Sequence, residues 1–144
     1  MRSPLILFLF LIILLKPQSD PMFSHEKLVV YQRSIEFVAW TQPVIESLPG
    51  KVSARDQLDR ASTSVPLNLA EGNAKFSQAD RARFFQIAHG SAVECAACLD
   101  VLVARKVMGA DAANEGKAQL ESIVNMLMGL LDRLGCRIAE DEGI

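Results

Sequence analysis

The sequence predicts an all-α fold: a single antiparallel four-helix bundle running up-down-up-down. Three observations lead there. Four segments carry apolar residues at alternating three- and four-residue steps, the period of a helix stripe. Glycine and proline are few, 8 and 6, and gather toward the joints between segments, while no stretch alternates apolar and polar residues as a half-buried strand would. With 144 residues, 50% of them apolar, the chain can enclose one core without disulfides or metals.

The first helix is expected from Glu26 to Leu48, with Leu28, Tyr31, Ile35, Val38 and Ile45 as its apolar stripe. Pro43 inside it predicts a kink, or a loosened last turn before Pro49 and Gly50. The second helix runs from Ser53, its expected cap, to Glu71, with Gly72 as the left-handed residue just past its end. Leu58, Ala61, Val65 and Leu69 face inward. Pro66 removes one backbone donor and leaves the Ser62 carbonyl without its usual partner, with the hydroxyls of Ser62, Thr63 and Ser64 near enough to compensate.

The third helix is expected from Gln78 to Met108, closed by Gly109. Ser77 and Asp80 resemble a capping box, with Asp in place of Glu. Phe84, Ala88, Ser91, Cys95, Cys98 and Leu102 step 4-3-4-3-4, the spacing of a seam against a neighbouring helix. The fourth helix begins after Asp111, a candidate cap, and reaches Ala139. Its stripe is Leu120, Val124, Leu127, Leu131, Leu134 and Ile138, widened by Ile123, Met126, Met128 and Leu130. That width, with Phe84 and Phe85 adjacent, leaves more apolar surface than one bundle encloses. Self-association is the expected cover; the alternative is that the kinked first helix lies over it.

Residues 1–21 stand outside the bundle expected for residues 22–139, and residues 140–144 form an acidic tail. Arg2 and the run from Leu5 to Leu15 have the charged start and short apolar core of a signal peptide, too short for a span of about 20 residues. No A-x-A-like cleavage site follows. Three readings compete: a poor signal peptide, a short anchor, or upstream codons joined to a chain that starts at Met22. The missing cleavage pattern favours the third, which goes with a cytoplasmic location. The odd count of 3 cysteines agrees, since it supplies no disulfide framework. A genuine leader, Met1–Leu15, would make the bundle secreted or membrane-anchored.

No enzyme chemistry stands out. A carboxylate-bridged di-iron centre needs Glu-x-x-His pairs, and the chain has 2 histidines: His25 precedes the bundle, and Gln86 occupies the position three before His89. Cys95 and Cys98 form a C-x-x-C, but they fall mid-helix on the seam with no second ligand pair, which reads as small core residues. There is no Gly-rich phosphate loop and no nucleophile–base pair. Neither a cofactor nor a small-molecule substrate is expected.

Ser91 and Glu94, with Asn68 and Glu71, are expected to form a hydrogen-bonded cluster with Arg60 that fixes helix register; ligand binding is the competing reading. Lys51, Arg55, Arg60, Lys75, Arg81 and Arg83 gather around the two loops that flank the second helix. They are either solvated helix ends or a phosphate-contacting patch, with Asp56, Asp59, Glu71 and Asp80 offsetting most of the charge. The net charge of −2 supplies no global basic field.

The stretch from Gln57 to Gly72, QLDRASTSVPLNLAEG, resembles the hallmark of the 23S rRNA intervening-sequence proteins, approximately QLRRAxxSIPxNIAEG. In the third helix Phe84, Ile87, Ala88, Gly90, Ser91 and Glu94 match the F-x-x-I-A-x-G-S-x-x-E pattern of the same family. Leu28 to Gln32 resemble its opening L-x-V-W-Q, with Tyr31 in the Trp place. The likeness covers about Leu28 to Leu134, and Asp59 departs from it where the family carries a basic residue. The resemblance implies an up-down bundle assembled as a ring-like homopentamer. It also implies kinship with the accessory protein of diversity-generating retroelements, which cooperates with a reverse transcriptase and nucleic acid. It brings no catalytic residue; Arg60, Pro66, Asn68, Glu71, Gly72, Ser91 and Glu94 enter as framework or interface positions.

The leading expectation is therefore a non-enzymatic homo-oligomeric adaptor, with RNA or DNA and a reverse-transcriptase-like protein as candidate partners. The rivals are a structural or protein-binding oligomer with no nucleic-acid role, and an exported or tethered bundle.

Overall fold

Helices this long, joined by only a few residues, must each run back along the one before. The computed structural model describes residues 4–5 and 23–136. A 3-10 turn, Ser24–Lys27, leads through Leu28 into α1 (Val29–Ser47), followed by α2 (Ser53–Ala74), α3 (Gln78–Ala104) and α4 (Ala110–Arg133). No strand occurs among the described residues. Each helix packs on the next and α4 returns against α1, with α2 and α3 the most extensive pair. The diagonal pairs bring no Cα atoms within 8 Å of each other, so each helix has two neighbours. The expectations for the leader, for Ile138 and Ala139, and for the acidic tail lie outside the described residues.

The α1 stripe differs from the expected one. Val30, Ser34, Phe37, Thr41 and Ile45 are buried, whereas Ile35 is 44% exposed and Leu28, Tyr31 and Val38 are half-buried. Two hydroxyls concealed the true face. Ser34 donates to the Tyr31 carbonyl at 2.6 Å and Thr41 to that of Val38 at 2.7 Å, so both enter the core with their polar atoms satisfied. The helix starts at Val29, not Glu26, because Glu26 is used in the preceding turn, where its carboxylate accepts the Phe23 N–H at 3.1 Å. Pro43 lies within α1 on its solvent side.

In α2 the inward set Leu58, Ala61, Val65 and Leu69 is as expected, each 3% exposed or less. Its ends are not. Val52 occupies the cap position without a side-chain bond, and Ser53 is the first helical residue. Gly72 is not a left-handed terminator but a buried residue inside a helix that continues to Ala74. A Cβ there would stand 2.8 Å from two ring carbons of Phe85, so the glycine is what lets α2 and α3 close together. Ser62 and Thr63 both donate to the Asp59 carbonyl, one turn upstream, rather than to that of Ser62.

Ser77 caps α3 by accepting the Asp80 N–H at 3.1 Å. The expected seam is buried from Ala88 to Leu102, but its first large side chain is Phe85, with Phe84 half-buried. The helix stops at Ala104 rather than Met108. Lys106 turns left-handed at φ 59°, its N–H reaching the Val103 carbonyl at 2.9 Å and that of Val107 reaching Leu102 at 3.1 Å. This is a Schellman closure built on lysine. Gly109, expected to end α3, instead caps α4, and Asp111 falls in the first turn. In α4 Ala113, Gly116, Leu120, Ile123, Leu127 and Leu131 are buried, while Val124 and Leu134 are half-buried. It ends at Arg133, short of Ala139, because Gly135 at φ 79° closes the same motif. Phe37, Phe85, Leu58 and Leu99 anchor the core, each worth about 1.5–3 kcal/mol of burial.

Candidate functional site

The motif residues converge on the groove between α2 and α3. Asn68 donates to the carbonyl and to the hydroxyl of Ser64, at 2.8 and 2.9 Å, and Ser64 shares a 2.8 Å hydrogen bond with Ser91. Ser64 is the link the motif reading did not single out as part of the cluster. Its place four residues before Asn68, on the same helix face, was the available signal. This relay pins the register of two helices by polar contacts at the edge of an apolar seam.

Arg60 and Glu94 do not join it as expected, and neither does Glu71. Among the described residues these three exposed side chains form no hydrogen bond or ion pair. They line two shallow clefts of about 410 Å³ each: Arg60 and Glu71 border one with Leu67 and Asn68, Arg60 and Glu94 the other with Gln57 and Ser91. Leu67 is 61% and Ile87 45% exposed on these helices. Pro66 and Gly72 are buried beneath this face and shape it from behind.

The six basic residues do not form one patch. The loops that flank α2 lie at its opposite ends, about 33 Å apart for a helix of 22 residues. At one end Arg55 is spent on structure, its Nε donating to the Ile45 carbonyl at 3.0 Å where α1 finishes, with Lys51 exposed beside it. At the other, Arg81 donates to the Asn73 and Lys75 carbonyls at 2.9 and 3.4 Å, satisfying the end of α2. Lys75 and Arg83 both sit over the Phe84 ring, 5.0 and 5.1 Å from its centroid. Next to Lys75, Phe76 is wholly exposed, a residue the charge pattern alone did not single out.

Cys95 and Cys98 face the core. Burial pushes the Cys95 thiol up to about 12, with Cys98 and Glu94 adding to the rise, and burial followed by Glu94 raises Cys98. Thiols held protonated in this way are poor nucleophiles and poor metal ligands at neutral pH. Among the described residues no three His, Cys, Asp or Glu side chains gather as a metal would require. The arrangement supplies surfaces for contact: a polar-apolar groove along α2 and α3, and a cationic, aromatic end.

A family model described as 23S rRNA-intervening sequence protein matches residues 26–129. The fold is similar to the crystal structure of a protein of unknown function from the S23 ribosomal protein family of Bacteroides thetaiotaomicron. The two share 22% identity with a TM-score of 0.68, over 72% of this chain and 98% of that one. At that identity the likeness concerns the fold alone. No curated protein matches the chain.

Proposed function

The chain belongs to the 23S rRNA-intervening sequence protein family, and from that premise we propose that it works as a non-enzymatic, self-associating helical module, an adaptor that presents surfaces to partners. The observation that carries this reading is the outward face of α2 and α3. There Arg60, Glu71 and Glu94 stand unpaired beside exposed Leu67 and Ile87. Further along α3, Val93, Ala97 and Val101 also miss the core, so this helix is apolar around most of its circumference. A helix of that kind is normally covered on all sides. A second copy supplies the cover, and supplies carboxylates for Arg60 as well. The ring of five implied by the family resemblance would need this face to meet a different face of the next copy, as a closed heterologous interface requires.

Light scattering of the purified chain over a wide concentration range tests the proposal. One species of several copies is expected, and a protein that stays monomeric when concentrated overturns it.

A second reading, contact with nucleic acid, is favoured by the end of the bundle where Lys75 and Arg83 flank Phe84 and Phe76 is exposed. Between Ala74 and Phe84 the chain carries Lys75, Arg81 and Arg83 against the single acid Asp80. An affinity for RNA that falls steeply with salt is the expected sign of such contact, and no binding at low salt would remove it.

A further inference from the structure

The aromatic rings of the bundle are unevenly placed. Phe37 and Trp40 stack at 5.7 Å along the middle of α1. Phe23, Tyr31, Phe76, Phe84 and Phe85 all stand where α1 begins, α2 ends and α3 begins. A 2.8 Å hydrogen bond from Asn73 to Ser24 ties the turn before α1 to the end of α2 and so gathers these rings at one end. His25 adds a sixth ring there, edge-on to Tyr31 at 4.7 Å.

Within this group Phe76 departs furthest from the ordinary logic of burial, with Phe23 next at 57% exposed. It occupies the short loop between α2 and α3 at 104% exposure, although a turn position of this kind is usually polar. The loop around it is braced. Arg81 holds the carbonyls of Asn73 and Lys75 on either side of Ala74, and its guanidinium lies 5.8 Å from the Phe85 centroid. Ser77 caps the helix that follows. A braced loop presents its aromatic ring at little further entropic cost on binding. Half-buried Lys75 and exposed Arg83 stand on Phe84, and among the described residues neither forms an ion pair.

We propose that this end of the bundle is a stacking platform for single-stranded nucleic acid, in which an unpaired base stacks on Phe76 while Lys75 and Arg83 meet the flanking phosphates. The inference rests on the nucleic-acid reading above and is independent of self-association. Every base offers a π-face, so one exposed ring at an end of the bundle that also carries cations suits a single strand of any sequence. A duplex offers the phosphates but keeps its bases stacked inside, which leaves Phe76 without a role. An acidic peptide answers the cations and gains nothing from stacking.

The test is fluorescence anisotropy of the full chain with a labelled oligouridylate and with an RNA duplex of equal length, each at low and moderate salt. The single strand should bind more tightly than the duplex. F76A should weaken single-strand binding about tenfold, the loss expected for one stacked base, with duplex binding and light-scattering mass unchanged. R83Q should lower the slope of log affinity against log salt by about one for the single strand. Undetectable binding of either RNA at low salt overturns the nucleic-acid reading and the platform together. Binding that ignores F76A, or that favours the duplex, overturns the platform and spares the broader reading. Binding of polyglutamate or anionic vesicles in place of RNA assigns this end to another class of partner and overturns the proposal, as does a fall in assembled mass with F76A.

Discussion

Gly116 of α4 lies against the indole of Trp40 from α1. A Cβ on Gly116 would stand 2.6 Å from Cζ3 of that ring and 2.9 Å from Cδ1 of Leu99, so the missing side chain is the space the tryptophan fills. Gly129, farther along the same helix, has nothing within 4 Å of the equivalent position. The two glycines should therefore respond to alanine with opposite signs. Gly129→Ala gains helix propensity and should stabilise by up to about 1 kcal/mol. Gly116→Ala gains the same propensity but overpacks the α1–α4 contact at about 1–3 kcal/mol, for a net loss. Urea unfolding at one fixed protein concentration reads both, and a stabilised Gly116→Ala would mean that Trp40 moves aside freely.

Lys106 and Gly135 hold corresponding positions in two Schellman closures, at φ 59° and 79°. Only one of them is glycine. A lysine in left-handed backbone pays steric strain that glycine does not. Lys106→Gly is expected to raise stability by roughly 0.5–1 kcal/mol, and Gly135→Ala to lower it by about 1 kcal/mol. Thermal unfolding of the pair should show midpoints displaced in opposite directions.

These closures also show where the chain was legible and where it was not. The seam from Ala88 to Leu102 and the inward set of α2 follow from spacing alone, because apolar residues recur there at helix steps with Ser91 as the one polar member. The α1 stripe did not, since Ser34 and Thr41 occupy two of its buried positions and satisfy their hydroxyls on their own helix, a contact that hydropathy cannot register. Three helix boundaries were misplaced at glycines: Gly72 and Gly109 were read as terminators and are not, and Gly135, which closes α4, was passed over. Gly72 serves interhelical packing and Gly109 serves the start of α4, while the residue that ends α3 is Lys106, whose type gives no hint of it. The basic residues were legible as a list but not as a surface. Their separation along α2 and the use of Arg55 and Arg81 on backbone carbonyls are facts of three dimensions.

Burial of the two seam cysteines predicts both a reactivity pattern and a pH dependence. A thiol reagent at neutral to mildly alkaline pH should modify half-buried Cys136 in the native protein and reach Cys95 and Cys98 only after unfolding. With the Cys95 thiol raised from 9.0 to about 12, the unfolded chain releases this proton above about pH 9 while the folded chain retains it. The unfolded state then binds fewer protons, so stability falls as pH climbs between those two values. The contribution of this one group cannot exceed about 1.4 kcal/mol per pH unit. Comparing Cys95→Ala with the parent across that window isolates it from lysine and tyrosine titration: the variant should lose less stability over the window. Identical slopes would show that the thiol ionises in the folded state.

Arg60 is the residue on which the self-association proposal can be tested most sharply. It borders both clefts, with Glu71 lining one and Glu94 the other, yet it pairs with neither inside the chain. An exposed guanidinium left in solvent contributes almost nothing, so reversing it in a monomer should be silent. In an interface that draws it against a neighbour's carboxylate, the same reversal places like charges together and costs several kcal/mol. Arg60→Glu is expected to raise the dissociation midpoint in a dilution series by at least about tenfold, each factor of ten being about 1.4 kcal/mol. Glu94→Arg should do the same. The double variant, Arg60→Glu with Glu94→Arg, restores opposite signs and should recover part of the assembly, and a parallel swap with Glu71 tells which carboxylate is the partner. Because no ion pair joins the two side chains within one chain, a midpoint that recovers in the double variant is expected to reflect pairing between copies. If every variant assembles like the parent, Arg60 is a solvated residue and the α2–α3 face is not where copies meet.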